Sequence, residues 1–366
     1  MKTLLHVVHH TPLLWLLAFV PVVLVVAKLR PEAHTLLFVL AVLAIVPLAA
    51  MLSHATESVA AKTGDAVGGL LNATLGNLTE LVIALMALRA GEYTLVKASI
   101  AGAIVTNTLY MLGASFLLGG LKHHVQEFNR VSARVQAGLL FLATVALLVP
   151  SATSQSDLSG AGAADFTRKL SVWLAVLLIV AYGLGMLFSL RTHRELFESA
   201  QHGEEGETPW PIGLALVTLA AVTVLVALVS EVFVESVQKA AEAFGMTPAF
   251  VGFVVVALVG AAAEMTSAFS GARKDRLDLS VGIALGSASQ IALFVAPVLV
   301  LASYVLGPTP MDLQFWPGAV AMMLIAALTA ALVTNSGRSA WFVGVLVLMV
   351  YLVFAMSLYL LPSRTQ

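Results

Sequence analysis

The sequence predicts an all-α integral membrane protein of about eleven transmembrane helices. Three observations carry this prediction. Of the 366 residues, 60% are hydrophobic and 11% are charged, whereas ordinary globular chains are about a quarter charged. Apolar runs long enough to cross a bilayer recur along almost the whole chain. A short motif that ends in glutamate occurs once in each half.

Apolar length, together with breaks at charged residues, Pro and Gly, predicts where each span lies. The predicted spans cover residues 11–28, 34–61, 66–89, 93–119, 131–150, 168–191, 211–240, 247–272, 276–305, 311–334 and 338–361. Setting the first span aside leaves five spans, a hydrophilic linker and five more. Because five is odd, the second block enters the membrane from the opposite side, which makes the two blocks inverted-topology repeats. The predicted units are therefore an extra N-terminal span (1–33), a first repeat (34–191), an acidic linker (192–210) and a second repeat (211–366).

Charge and composition limit the possible membrane orientation of the chain and its possible partners. Lys and Arg are more frequent on the side of the N-terminus, which predicts a cytoplasmic N-terminus and a cytoplasmic linker. The apolar stretch 13–27 is long for a signal peptide and no A-x-A site follows, so we expect it to be a retained span. The short N-terminus favours a prokaryotic inner (plasma) membrane. A net charge of −1 excludes a basic surface for nucleic acid, and the lack of cysteine excludes disulfides and thiolate chemistry.

The repeated motif reads G-x-x-x-E, from Gly76 to Glu80 and from Gly260 to Glu264. Each glycine lies four residues before its glutamate, so the two share a helix face. A carboxylate inside a membrane is costly unless it is paired, protonated or in a wet cavity, and is functional by default. Two in matching positions of two halves indicate a transport site near the midplane. The alternative is a pair of protonated glutamates that only hydrogen-bond neighbouring helices.

The residues around these motifs suggest a cation as the cargo. A hard divalent cation prefers about six or more oxygen ligands, carboxylates included. Besides Glu80 and Glu264 as metal ligands, the sequence offers carbonyls and amides, those of Gly76, Gly260, Asn77, Asn107 and Gln290. Two ionised carboxylates in a low dielectric repel each other, so a cation and protons would compete for the pair. This is a hypothesis for coupled exchange, and no cofactor is required by it.

Two further polar pairs occur near the ends of apolar spans. His54 and Glu57 lie one turn apart on the second span, and Glu231 and Glu235 occupy the comparable place on the seventh. We interpret both pairs as candidates for a proton path or gate. For His54 and Glu57 the alternative is a structural hydrogen-bonded pair near the membrane surface.

Several segments resemble the calcium/proton exchanger (CAX) family of the calcium/cation antiporter superfamily. They are residues 56–57 (TE), 68–81 (GGLLNATLGNLTEL), 192–193 (TH), 196–197 (LF), 274–279 (KDRLDL) and 282–291 (GIALGSASQI). The resemblance implies eleven spans in two inverted five-span repeats, and export of Ca²⁺ in exchange for protons. It also implies that the two repeat glutamates bind the ion, and that the second and seventh spans move to alternate access.

The second repeat departs from this family pattern and leaves alternatives open. The family usually reads G-N-A-A-E-H there, whereas this chain has Ala261 and Met265 in place of the asparagine and the histidine. Exchange of Mn²⁺, Na⁺ or K⁺ with protons is therefore an alternative, and a passive cation channel is another. A membrane-embedded hydrolase is disfavoured because the sequence lacks H-E-x-x-H and G-x-S-x-G motifs. The sequence leaves open whether the chain forms a homo-oligomer in the lipid bilayer.

Overall fold

The computed structural model describes residues 12–63, 65–153, 163–193 and 210–360, and these form a nearly all-helical bundle. Most of the predicted acidic linker (194–209) lies outside the described residues. A 3₁₀ turn at Pro12–Ala18 precedes the first helix. The helices are α1 (Phe19–Leu29), α2 (His34–Ala60), α3 (Asp65–Leu75), α4 (Leu78–Arg89), α5 (Tyr93–His123), α6 (Arg130–Thr153), α7 (Ala163–Leu187), α8 (Ile212–Ala243), α9 (Pro248–Gly260), α10 (Ala262–Arg273), α11 (Leu277–Leu306), α12 (Pro317–Val333) and α13 (Trp341–Leu360).

The helices confirm a multi-pass membrane protein. Among the described residues, seven helices are long and apolar enough to cross a bilayer, namely α2, α5, α6, α7, α8, α11 and α13. The pair α9 and α10, bent by 60°, gives an eighth if it is counted as one span. Two shorter apolar helices cover Leu13–Leu29 and Pro317–Val333. The number eleven and the bounds of the repeats stay predictions.

The third and eighth predicted spans are both broken, whereas the sequence pattern predicted continuous helices. Helix α3 ends at Leu75 and α4 begins at Leu78, whereas α9 ends at Gly260 and α10 begins at Ala262. Glycine has a low helix propensity, which favours an interruption at Gly76 and Gly260. A helix end leaves backbone N–H and C=O groups without intrahelical partners. At membrane depth such groups are tolerated only where protein or a cavity satisfies them.

Each half also contains a widened helical turn beside an amide predicted to bind the ion. A π-helical turn spans Thr106–Met111 in α5 and includes Asn107. Another spans Ile291–Val295 in α11, directly after Gln290. Single π turns inside α-helices are frequent at functional sites. The broken helices and these turns together mark the centre of the bundle as irregular.

The bundle has two distinct ends, each held by polar contacts between loops. At one end β1 (Val125–Glu127) pairs antiparallel with β2 (Arg338–Ala340). At the same end Lys122 Nζ donates to the carbonyl of Arg273 at 2.9 Å. We call this end the ribbon face. At the opposite face, Gln238 contacts Glu92 at 2.7 Å and the ammonium of Lys97 pairs with Asp312 at 2.5 Å.

Small side chains let the central helices approach closely. Helix α2 packs along α8, with Ala41 and Ala44 fully buried. Helix α5 crosses α9 where Gly102 lies against the backbone of Phe253, so that a Cβ at Gly102 would collide with it. Because lipid tails are as apolar as Leu, close van der Waals packing of this kind is a main source of helix association in membranes. The packing brings the broken helices of the two halves together.

Candidate ion-binding site

Four polar side chains from both halves form a continuous hydrogen-bonded chain, which we call the amide chain. Asn77 Nδ2 donates to Gln290 Oε1 at 2.6 Å. Ser287 Oγ donates to Asn77 Oδ1 at 2.6 Å, and Asn107 Nδ2 donates to Ser287 Oγ at 2.8 Å. The three predicted amides are therefore brought together where α4, α5 and α11 meet.

The two repeat glutamates begin the second helix of each broken pair. Glu80 lies in the first turn of α4 and Glu264 in the first turn of α10. The N-terminal end of a helix favours negative charge. Glu264 lies within hydrogen-bonding reach of Ser287 and within electrostatic reach of Glu80. The carboxylate pair and the amide chain thus form one site.

The two predicted glycines adjoin this site. A Cβ added to Gly260 would lie 2.9 Å from Glu80 Cγ and 3.3 Å from its Cδ. The Glu80 side chain therefore occupies the space that a larger residue at position 260 would need. A Cβ added to Gly76 would lie 4.0 Å from Gln290 Oε1. Coordination of an ion by the carbonyls of Gly76 and Gly260 stays a prediction.

Three oxygens of the site are buried and have no hydrogen-bond partner among the described residues. They are Glu80 Oε1, Glu264 Oε2 and Asn107 Oδ1. A buried polar oxygen without a partner costs about 1–3 kcal/mol, and more if it is charged. Carboxylate and amide oxygens are ligands that a hard cation prefers, and a proton on either carboxylate would also reduce the cost. The arrangement suits reversible binding of a cation or of protons.

A narrow cavity of about 10 Å³ extends from Glu80 toward the opposite face, away from the ribbon face. It has room for about one water molecule. Besides Glu80 and Ser99, its lining is apolar, with Ala84, Ile100, Ala103, Val256, Ala257, Ile291 and Val295. On this side, the site is therefore bordered mainly by apolar side chains.

The candidate path residues lie outside the buried site. Glu57, Glu231 and Glu235 are exposed, in contrast to the buried carboxylate oxygens of the site. Ser53 Oγ donates to Glu57 at 3.2 Å, and the His54 ring packs edge-on against Trp210 with centroids 4.4 Å apart. A role of these four residues in a proton path or gate stays a prediction.

Ser287, which joins three residues of the site, was not predicted from the sequence. Ser287 precedes Gln290 by three positions, so the two share a helix face. That spacing inside the segment 282–291 could have identified it. Ala261 and Met265, which depart from the family pattern, are both buried.

Two broken helices that carry carboxylates at their inner ends, facing each other across a membrane bundle, define a class of secondary transporters. The sodium/calcium exchanger protein family matches residues 33–191 and 214–360. The chain therefore belongs to this family, and the resemblance drawn from its motifs is confirmed.

Similar proteins agree with this assignment over nearly the whole chain. A Ca(2+)/H(+) antiporter of Aphanothece halophytica is 39% identical over 361 residues, which cover 95% of this chain and 96% of the relative. The Ca(2+)/H(+) antiporter ChaA of Bacillus subtilis is 40% identical, with 92% and 95% covered. The solved structure of native YfkE is 35% identical, with a TM-score of 0.82 and coverage of 96% and 100%. The H+/Ca2+ exchanger CAX, 16% identical with a TM-score of 0.72, shares the fold.

Proposed function

We propose that the protein is a secondary active antiporter that exports Ca²⁺ in exchange for protons by alternating access. The observation that carries this proposal is the pair of glutamates at the inner ends of α4 and α10, each with a buried oxygen that has no partner among the described residues. The Ca(2+)/H(+) antiporters to which the chain is 39% and 40% identical support the choice of cargo.

The carboxylate pair would couple the two fluxes by competition. With both carboxylates ionised, Glu80 and Glu264 repel each other, and a divalent cation between them removes the repulsion. Protonation of the two groups removes it equally well but leaves no anionic ligand for Ca²⁺. Each loaded state is therefore electrostatically balanced, whereas the empty ionised state is not. Only a carrier loaded with Ca²⁺ or with protons would change easily between the conformations open to the two faces. Coupled exchange requires this restriction.

The remaining ligands of the proposed site are uncharged oxygens. Asn77, Asn107 and Gln290, together with the carbonyls of Gly76 and Gly260, would complete the shell around the two carboxylates. Met265 offers a thioether, which is a soft and poor ligand for Ca²⁺. We therefore assign Met265 to packing, in agreement with its buried position. Both halves of the site come from one chain, so that a homo-oligomer is not needed to complete it.

The cellular setting is part of the proposal. We place the chain in a prokaryotic inner membrane with its N-terminus in the cytoplasm, because Lys and Arg are more frequent on that side. The ribbon face would then be cytoplasmic, with α2 and α8 as the helices that move. The protein would act as a transporter and not as an enzyme, with Ca²⁺ as cargo and no cofactor.

Flux in proteoliposomes with an imposed pH gradient tests the proposal. The wild-type chain is compared with Glu80→Gln and Glu264→Gln, which keep the shape of each side chain and remove its charge. We expect gradient-dependent Ca²⁺ uptake in the wild type and none in either variant. Arg134→Gln serves as the matched control, because Arg134 is exposed and contacts Asn335 at the ribbon face.

Other outcomes identify the alternatives. Uptake of Mn²⁺, Na⁺ or K⁺ without Ca²⁺ would mean that Ala261 and Met265 have changed the cargo. Flux that ignores the pH gradient, or that survives both substitutions, would exclude the antiporter mechanism and indicate a channel.

A further inference from the structure

Gln136 carries an amide oxygen that the packing of the helices leaves without a partner. It lies on α6, and its Oε1 is buried with no hydrogen-bond partner among the described residues. This oxygen lies 4.0 Å from the point where a Cβ on Gly286 of α11 would be. The backbone carbonyl of Gln136 accepts a hydrogen bond from Ser289 Oγ at 3.3 Å. The amide thus faces α11 at a position that has no side chain.

The position on α11 relates Gln136 to the proposed ion site. Gly286 precedes Gln290 by four residues, so both lie on the same helix face. Helix α11 begins at Leu277, next to the loop contacts of the ribbon face. Gly286 is therefore about one turn, roughly 5–6 Å, closer to the ribbon face than Gln290. Gln136 therefore lies about one helical turn from the amide chain, on its ribbon-face side.

On the other side of the site, the equivalent positions of the described helices carry no amide. One turn before Asn107 on α5 lies Ala103, which lines the apolar cavity that extends toward the opposite face. Helix α12, which corresponds to α6 in the predicted second repeat, carries no amide and no carboxylate within Pro317–Val333. Gln136 is therefore not a general feature of the packing between these helices.

A purely structural role does not explain this amide. A leucine would fill similar space without the free-energy cost of a buried oxygen that has no hydrogen-bond partner. Polar side chains in membrane spans that have no protein partner commonly mark ion pathways. An uncharged oxygen also suits a path, because a cation must bind strongly enough to enter and weakly enough to leave.

We propose that Gln136 is a cation ligand on the ribbon-face side of the site, which binds Ca²⁺ transiently through Oε1 on its way to Glu80 and Glu264. This inference rests on the proposed function and adds a residue to the same pathway. Gly286 is part of the arrangement, because a side chain there would cover the amide oxygen. An amide thus lies beside the site on this side, whereas the cavity toward the opposite face is lined mainly by apolar side chains.

The chain has no cysteine, so Gln136→Cys supplies the only thiol for a labelling experiment. A membrane-impermeant, positively charged methanethiosulfonate reagent is added to the ribbon face of vesicles that contain the full chain. We expect modification from this face only, and a several-fold slower reaction when Ca²⁺ is present. Arg134→Cys on the same helix is the control, because Arg134 is exposed. It should react from the same face at a rate that does not depend on Ca²⁺.

A transport measurement tests the same inference with a variant that removes the amide but fills a similar volume. Gln136→Leu should raise the KM for Ca²⁺ offered at the ribbon face by about tenfold, the effect of one lost polar contact. The KM for Ca²⁺ offered at the opposite face should stay unchanged, and Gln136→Asn should recover part of the affinity. Gln314→Leu is the matched control, because Gln314 is a partly buried amide near Asp312. It should leave the KM at the ribbon face unchanged.

The two possible failures are distinguishable because wild type and Glu80→Gln are measured in parallel. Suppose that the wild type exchanges Ca²⁺ and Glu80→Gln does not. If the KM of Gln136→Leu for Ca²⁺ then equals that of the wild type at both faces, this inference is wrong and the proposed function stands. Labelling of Gln136→Cys that ignores Ca²⁺ has the same meaning. If the wild type moves no Ca²⁺, the proposed function is wrong, and the inference falls with it.

Discussion

Asn77 and Gln290 are 213 residues apart in the chain and are joined by a hydrogen bond of 2.6 Å between Nδ2 and Oε1. Asn77 begins the second helix of a broken pair, and Gln290 precedes a π-helical turn. The bond therefore ties two irregular points of the backbone, one from each half. Ser287 joins the same asparagine from α11 at 2.6 Å. A single side chain thus links the halves at the centre of the proposed site.

Replacement of Asn77 by leucine removes both of these bonds. Gln290 and Ser287 would each lose a partner in a buried setting, which costs about 1–3 kcal/mol per group. We expect a lower melting temperature in detergent and loss of most Ca²⁺ exchange. A double-mutant cycle with Gln290→Leu measures the coupling between the two amides. Strictly additive losses would show that the bond between Asn77 and Gln290 contributes nothing.

Gly260 determines the space available to Glu80. An alanine Cβ would lie 2.9 Å from Glu80 Cγ, closer than side-chain carbons approach, so the carboxylate must move. Displacement of a ligand by about 1 Å can cost two orders of magnitude in rate. We expect Gly260→Ala to reduce Ca²⁺ exchange by about tenfold or more. The measurement is initial uptake at saturating Ca²⁺.

Gly138→Ala is the matched control for this substitution. Gly138 also lies in a helix, but nothing is within 4 Å of its added Cβ. Its exchange should equal that of the wild type. Equal activity of both alanine variants would mean that the position of Glu80 is not limiting.

Ala261 occupies the position before α10 that Asn77 occupies before α4. Asn77 donates to Gln290, the amide of the other half. By the same relation, an asparagine at position 261 would donate to Asn107, whose Oδ1 has no partner among the described residues. We therefore expect the Oδ1 of Asn107 to gain a partner when an asparagine replaces Ala261.

Ala261→Asn should supply this missing partner. The new side chain would cap α10 and add an amide oxygen to the site. We expect the KM for Ca²⁺ to fall several-fold. The KM for Mn²⁺ and the KM for Na⁺ should each fall by a smaller factor. Ala261→Leu, which adds a similar volume without an amide, is the control and should impair exchange. A KM that rises in both variants would show that volume at this buried position matters more than the amide.

Lys97 and Asp312 form an ion pair at the opposite face, with 19% and 34% of their side chains exposed. Loss of an exposed ion pair lowers the free energy of unfolding by at most about 1 kcal/mol. Because this pair is partly shielded from water, its loss should cost more than that. We expect Lys97→Met to lower the melting temperature in detergent. The double variant Lys97→Met/Asp312→Asn should recover part of the loss, because no unpaired charge remains. An unchanged melting temperature in the single variant would contradict this.

Competition between Ca²⁺ and protons for Glu80 and Glu264 predicts the sign of the pH dependence. Protons on the side of Ca²⁺ occupy the carboxylates, so acidification there should raise the KM for Ca²⁺. Acidification on the far side should accelerate exchange, because protons there reload the empty carrier. Initial rates at fixed gradients, with the pH varied on one side at a time, measure both effects. A KM that does not change with pH on the Ca²⁺ side would exclude competition at the pair.

The sequence by itself determined the membrane class, and it predicted the two glutamates and the three amides as candidate ion ligands. Charged and amide side chains inside apolar runs are conspicuous because their free-energy cost in a membrane is high. Glu80, Glu264 and Asn107 could therefore be predicted as candidate ion ligands without a structure. The recurrence of one motif in each half also predicted that the two carboxylates meet.

Only the tertiary structure decided how these residues are connected. The low helix propensity of glycine favours breaks at Gly76 and Gly260, but whether a break is tolerated depends on neighbouring helices that satisfy the freed backbone groups. The link through Ser287, the unpaired oxygen of Asn107 and the approach of Gln136 to Gly286 all require knowledge of which helix faces which. Chain-distant contacts such as these are set by packing between helices, whereas sequence spacing describes only the faces within one helix.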